Sequence, residues 1–190
     1  MNVGCDVEKR AAAVLSAMSG LGAIAVAVLD GRATGIRFGH GSVAAAVSAL
    51  LGPAGRRARS ASLADTSEGD EQFAADLLGR LVRYADGEPV DFSDVAVAVD
   101  HLSTFQRRVV KACRAIPAGQ HRTYGQLAAA AGSPGGARAV GQVMASNRVP
   151  LVVPCHRVLA AGGRLGGFSA PQGLAMKRRL LALEGAYLVG

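Results

Sequence analysis

Asp30-Gly31 separates two apolar runs, residues 24–29 and 33–38. That dipeptide accepts the positive backbone angles of a tight two-residue turn, so the runs read as the antiparallel strands of a hairpin. A lone hairpin is marginal in water and must find further strands or a helix for its apolar face. The neighbouring sequence offers both. Residues 6–18 (DVEKRAAAVLSAM) are predicted as a partly buried helix and 42–51 as a helix stopped at Gly52-Pro53. Residues 67–84 are predicted as a third, with Phe73, Leu77, Leu78, Leu81 and Val82 on one face. Residues 95–99 read as one more strand. Residues 52–62 (GPAGRRARSAS) read as a solvated loop with three arginines, in preference to a nucleic-acid-binding arm. Residues 1–101 thus make a small α/β domain in which no reactive constellation is visible.

From residue 102 onward the pattern is mostly helical, and residues 102–190 read as a second domain. Ser103 or Thr104 caps a helix over 105–116, stopped by Pro117. Thr123 caps another with its apolar body at 127–131. The turn Gly132-Ser133-Pro134-Gly135-Gly136 follows, with Ser133 as a cap for a third helix over 137–146. Two short helices joined by a glycine-rich turn outline a helix-turn-helix. Ala137, Ala139, Gly141 and Ala145 leave the third helix almost bare, with Arg138 projecting from it. Such a surface suits close helix packing, or a DNA groove with one side chain free to enter the base stack. Residues 158–168, with Gly162-Gly163 and Gly166-Gly167, read as a hairpin, a wing beside the helix-turn-helix. Residues 173–184 read as an amphipathic helix stopped by Gly185, with Lys177, Arg178 and Arg179 as a solvated basic face.

Charge divides the chain the same way. Residues 1–100 hold nine Lys+Arg against thirteen Asp+Glu, whereas 101–190 hold twelve basic residues and a single acid, Glu184. An excess of +11 over one half is the footprint of a polyanion-binding surface, and nucleic acid is the favoured partner. No apolar run approaches the length of a membrane span. The first ten residues lack the basic and apolar regions of a signal peptide, and three dispersed cysteines make no disulfide framework. These features point to a cytoplasmic protein. Cys5, His40 and His101 lack the spacing of a metal site, so no metal is predicted.

The chemistry gathers at Pro154-Cys155-His156-Arg157-Val158, reached through the apolar run 149–153. A free thiol has a pKa of about 8.5 and needs a base or a cation to react as thiolate near neutrality. His156 is adjacent, and Glu184 is the candidate to orient its imidazole. The plain alternative is a buried structural cysteine at the end of a core strand.

These residues carry a resemblance. Residues 104–188 resemble the C-terminal domain of the O6-alkylguanine-DNA alkyltransferases, also called methylated-DNA–protein-cysteine methyltransferases. The likeness rests on Pro154-Cys155-His156-Arg157-Val158, Arg138-Ala139-Val140-Gly141, Asn147, Thr123-Tyr124-Gly125, and Gly173-Leu174-Ala175 through Leu180-Leu181-Ala182-Leu183-Glu184-Gly185. It implies a small RNase H-like α/β domain followed by a winged helix-turn-helix domain. It also implies that Cys155 takes the alkyl group from O6 of guanine irreversibly, in a single turnover without cofactor or metal. His156, acting through a water, would draw the thiol proton while Glu184 holds the ring. Adjacent side chains on an extended backbone point apart, hence the water. Asn147 would tie the helix-turn-helix to the active-site turn. Tyr124 would help rotate the target phosphate and donate a proton toward guanine, and Arg138 would fill the gap left by the flipped base. Ala137, Ala139, Gly141, Met144 and Ser133 would meet the minor groove, with Pro154, Val158, Phe168 and Ser169 around the base. The implied partner is double-stranded DNA containing O6-alkylguanine, bound by a monomer, with cooperative loading left open.

Three residues depart from the family pattern: Phe168 stands where a Tyr is usual, Arg148 where Pro is usual, and Val110 where Trp is usual. The competing readings are a lesion-binding protein without transfer, a thiol hydrolase and a helix-turn-helix regulator. The presence of Cys155, its immediate adjacency to His156, and the bare third helix respectively weigh against them.

Overall fold

The structure, a computed structural model, describes residues 12–58 and 66–186. It is a mixed α/β fold. Strands β1 (Ala13–Ala17), β2 (Ala23–Leu29) and β3 (Arg32–His40) form an antiparallel meander in that order. The hairpin turns at Asp30 and Gly31, both at positive φ. The buried Asp70 carboxylate accepts the amide N–H groups of Asp30 at 3.1 Å and of Gly31 at 2.6 Å, which locks the turn to the helix behind it.

Residues 13–17 form this edge strand where composition predicts a helix over 6–18; residues 6–11 lie outside the described residues. Ala, Leu and Met favour helix by only tenths of a kcal/mol each. Pairing Ala13 to Val28 through Ala17 to Ile24 gives β2 its second ladder and outweighs that preference.

The sheet is covered on both sides, and alternation decides what faces what. Ile24, Val26 and Val28 join the main core with Leu77 and Leu81 of α2 (Glu68–Ala85), which Ser67 caps. Ala23 and Ala25 face Ala46 and Val47 of α1 (Val43–Ala58). That approach is close: a Cβ at Gly35 would lie 2.8 Å from Leu50 Cδ1. Gly52-Pro53 kinks α1 rather than ending it, with Gly52 at φ 63° and ψ −171°, and helix resumes as far as Ala58. Residues 53–58 are therefore not the predicted loop, and 59–65 lie outside the described residues. Residues 95–99 make only one bridge, Val97 to Ala33. Farther along the same strand, the Ile36 amide bonds the Arg148 carbonyl instead, at 2.8 Å.

In the second half, α3 (Thr104–Arg114) and α4 (Tyr124–Ala130) each begin in a reciprocal capping box, Ser103 with Gln106 and Thr123 with Gln126. Helix α5 (Ala137–Ala145) starts at Gly136 without a side-chain cap. Ser133 stands three residues too early to cap it, and its carbonyl instead accepts the Gly136 amide. Strand β4 (Arg122–Thr123) pairs in parallel with β5 (Val158–Leu159). The predicted hairpin over 158–168 is not formed: β5 finds its partner in β4, and a 3-10 turn at Ala161–Gly163 follows it. Helix α6 (Leu174–Leu183) ends before Gly185, at φ 67°. One apolar cluster runs unbroken from Ala13 to Leu180 through both halves. Among the described residues no helix is long and apolar enough to cross a membrane.

Candidate active site

Cys155 is carried by a stapled turn rather than by a strand. The apolar run 149–153 folds back on itself: the Val153 amide bonds the Val149 carbonyl at 2.9 Å, and Leu151 sits at φ 74°, a region costly for a branched side chain. Asn147, just beyond α5, holds this turn at three points. Its Oδ1 accepts the Val149 N–H at 3.1 Å, while its Nδ2 donates to the Val153 carbonyl at 2.8 Å and to Cys155 Sγ at 3.3 Å. The helix-turn-helix and the cysteine turn are thereby joined through one amide side chain. Cys155, His156 and Arg157 form a 3-10 turn, so the extended backbone assumed from sequence is absent.

Behind the turn, Glu184 gathers three residues. Its carboxylate pairs with Arg157 in a bidentate manner, Nε to Oε2 at 2.9 Å and Nη2 to Oε1 at 2.8 Å. His156 Nε2 lies 2.9 Å from Oε1, and the Tyr84 hydroxyl donates to the same oxygen at 2.7 Å. Burial alone would lift the Glu184 carboxyl, but the hydrogen bonds from His156 and Arg157, with Tyr84 adding to them, overcome it. They hold the group well below the usual carboxylate range. Burial pushes His156 down and outweighs the pull of Glu184, which leaves a neutral imidazole. Since the ionised Glu184 accepts, Nε2 carries the ring proton and Nδ1 keeps its lone pair. Nδ1 is buried with no hydrogen-bond partner among the described residues. Burial likewise pushes the Cys155 thiol up, opposed by Asn147 and by the charge of Lys177. A neutral base thus stands beside a protonated thiol.

Lys177 corrects the reading of α6 as carrying a solvated basic face. It is fully buried, its Nζ donating to the Val158 carbonyl at 2.6 Å and lying 6.0 Å from the centre of the Tyr124 ring. Burial lowers its pKa. Sequence reasoning also missed the roles of Tyr84 and Arg157 in this network.

Cys155 opens onto a cavity of about 800 Å³ lined also by Tyr124, Met144, Asn147, Phe168 and Ser169, and by Arg37, Phe38 and His40 from β3. Phe168 packs its ring 6.3 Å from that of Phe38. Pro154 and Val158 flank the Cys155–Arg157 turn, are buried, and are not among the cavity's lining residues. Met144 is buried and faces the cavity, which differs from the groove-facing position expected from sequence. Along α5, Arg138 is exposed and Ala137, Ala139 and Gly141 are half-buried, as is Ser133 before the helix. The departures are accommodated: Val110 packs on the core, and the Arg148 carbonyl takes the Ile36 and Arg37 donors.

The family model described as 6-O-methylguanine DNA methyltransferase, DNA binding domain, matches residues 104–186. A methylated-DNA–protein-cysteine methyltransferase of Mycolicibacterium paratuberculosis is 44% identical over 118 residues, which are 62% of this chain and 68% of that one. The chain belongs to the methylated-DNA–protein-cysteine methyltransferase family. A second family member, from Methanopyrus kandleri, is 51% identical over 106 residues, 56% of this chain and 76% of its own. Across nearly the whole chain the fold is similar to that of Mycobacterium tuberculosis OGT, solved in complex with DNA. The TM-score is 0.68 at 32% identity, covering 90% of this chain and 92% of that one. The O6-methylguanine-DNA methyltransferase of Pyrococcus kodakaraensis is similar with a TM-score of 0.64 at 26% identity, over 93% of this chain and 100% of that one.

Proposed function

We propose that this protein is a DNA repair alkyltransferase: it flips O6-alkylguanine out of duplex DNA and takes the alkyl group irreversibly onto Cys155, once per molecule. The observation that carries the reading is a buried thiol at an open cavity, next to a neutral imidazole whose tautomer an ionised Glu184 fixes. A methyl carbon on an aryl ether calls for a soft nucleophile and a leaving group that gains a proton. Sγ bonds the alkyl carbon as the bond from that carbon to O6 breaks. The thiol proton passes through a water to His156 Nδ1, and the departing guanine gains one donated by Tyr124, whose hydroxyl burial keeps protonated. The imidazolium then gives its proton back through solvent to the Tyr124 phenolate, so that the net reaction moves one proton from sulfur to guanine and leaves a thioether that nothing in the scheme reverses. No cofactor enters it.

Removing the base from the stack costs a few kcal/mol. The exposed Arg138 on bare α5 is suited to fill the gap, with Ala137, Ala139 and Gly141 against the minor groove and phosphate contacts offsetting the rest. Pro154 and Val158 then serve the pocket by fixing the cysteine turn. The finer fold reading belongs to the same proposal. Residues 1–101 form an RNase H-like domain, supported by the meander followed by α2. Residues 102–190 form a winged helix-turn-helix domain, with the β4–β5 region in the place of the wing. The protein acts as a cytoplasmic monomer on double-stranded DNA.

The test is intact mass followed by peptide mapping after incubation with a duplex carrying one O6-methylguanine. A single added methyl on Cys155 is expected in the native protein, and none in Cys155→Ser, which should still bind the duplex. A native protein that binds the lesion and gains no mass is a lesion sensor, and the reading fails.

A further inference from the structure

We infer that Tyr84, at the end of α2, is a positioning residue of this site, its hydroxyl fixing the Glu184 carboxylate that decides which ring nitrogen of His156 is free to take a proton. The inference rests on the alkyl-transfer reading above and extends it into the first half of the chain, where the sequence carries no visible chemistry.

Three observations converge on it. Tyr84 is buried and wedged edge-on against Phe92, with ring centres 5.8 Å apart, so its hydroxyl must find a partner inside the protein. The partner it finds lies 100 positions away, the single acid of the second half. Finally, the oxygen it reaches is Oε1, the one that also faces His156 Nε2 at 2.9 Å and Arg157 Nη2 at 2.8 Å. Burial, with the negative charge of Glu184 added, keeps the phenol protonated, so Tyr84 is a permanent donor. With Tyr84 and Arg157 both donating, Oε1 is an acceptor only, and Nε2 of His156 must supply the third proton. An outer partner that fixes a histidine tautomer in this way commonly matters to the chemistry nearly as much as the inner groups.

Tyr84 also restrains the carboxylate. The charged groups acting on His156 are Glu184, which favours the imidazolium, and Arg157 and Lys177, which oppose it, with the neutral Tyr84 hydroxyl on the Glu184 oxygen that faces the ring. A phenol bonded to Oε1 spreads the Glu184 charge and weakens its hold on an imidazolium. Without the hydroxyl, that hold strengthens and His156 stays protonated to higher pH, where it is no longer a base.

The experiment is Tyr84→Phe in the full chain, with single-turnover transfer of a labelled methyl from free O6-methylguanine base followed against pH, so that DNA affinity plays no part. The acid limb of the rate profile should move to higher pH. The rate near neutrality should fall about ten-fold, the order expected for one hydrogen bond to a charged group. Phe92→Leu, which loosens the same packing without touching Glu184, should leave the midpoint of that limb in place. A purely structural role predicts a lower melting temperature with an unmoved midpoint, and that result overturns the inference, as does a Tyr84→Phe profile identical to the native one. The nitrogen-15 signals of the His156 ring give a second readout without any transfer. They should report a proton on Nε2 in the native chain and a higher imidazole pKa in Tyr84→Phe; unchanged signals in the variant also count against it. A native chain that accepts no methyl at all defeats the transfer reading instead, while the ring signals still decide whether Tyr84 governs the tautomer.

Discussion

At Cys155 burial and charge pull against each other. Enclosure raises the thiol, whereas Asn147 and the buried Lys177 ammonium favour the thiolate. Lys177→Met should therefore slow alkylation of Cys155 by a small haloacetamide several-fold at pH 8 while the chain stays folded; an unchanged rate would show that the lysine serves only the Val158 carbonyl. His156 and Glu184 set the acid limit of stability. Both have folded values below their ordinary ones, 6.5 and 4.5, so in each case the unfolded chain binds protons first as pH falls. Melting temperature should hold above pH 6.5, decline below it as unfolded His156 charges, and drop more steeply below about pH 4.5. Glu184→Gln should be less stable at pH 7 and lose the steeper part of that decline. The inner residues were legible in sequence, because a cysteine followed by His and a lone acid in a basic half are rare coincidences. Tyr84 was not, since nothing local records which partner a buried phenol meets. Lys177 left a fainter trace. It lies seven residues before Glu184, on the stripe that Met176, Leu180 and Leu181 bury, yet the adjacent Arg178 and Arg179 made the segment look solvated.

Among the elements, those with strong local punctuation came through and those settled by distant partners did not. The Asp30-Gly31 hairpin and the Ser103 and Thr123 caps stand where their turn and capping chemistry put them. Strand β1 and the single bridge at Val97 depend on neighbours remote in sequence, so periodicity alone misread them; the cysteine turn is held locally, by Asn147, but has no apolar period to announce it. The predicted hairpin over 158–168 failed because β5 pairs with the distant β4, but its glycines still matter. A Cβ at Gly166 would come within 2.8 Å of the Tyr124 hydroxyl and 2.9 Å of its ring, whereas one at Gly167 would meet nothing within 4 Å. Gly166→Ala should displace Tyr124 and slow methyl transfer, with Gly167→Ala near native in the same single-turnover assay. Equal rates for the two would separate Tyr124 from the reaction.

Taken whole, the molecule has a more selective electrostatic surface than its charge count suggests. Arg157 and Lys177 point inward, and Arg114 spends its guanidinium on the carbonyls of Phe92, Ser93 and Val95. On the proposed DNA-binding reading, phosphate contacts fall to the remaining cations of the second half. Duplex affinity, read by fluorescence anisotropy between 50 and 200 mM salt, should fall on a log–log line with a slope of about −0.9 per phosphate neutralised. A flat response would remove DNA as the reason for the basic half. Arg138→Ala should slow transfer from duplex DNA far more than from the free base, and equal losses would deny it a part in base flipping.

The apolar cluster that runs from Ala13 to Leu180, crossed by the Ile36–Arg148 and Tyr84–Glu184 hydrogen bonds, also bears on how the chain can be trimmed. A fragment starting at residue 102 would keep the reactive cysteine but present a raw hydrophobic face and a half-solvated carboxylate where its other half belongs. For anyone shaping this protein into a self-labelling tag, the smallest practical unit is both halves together.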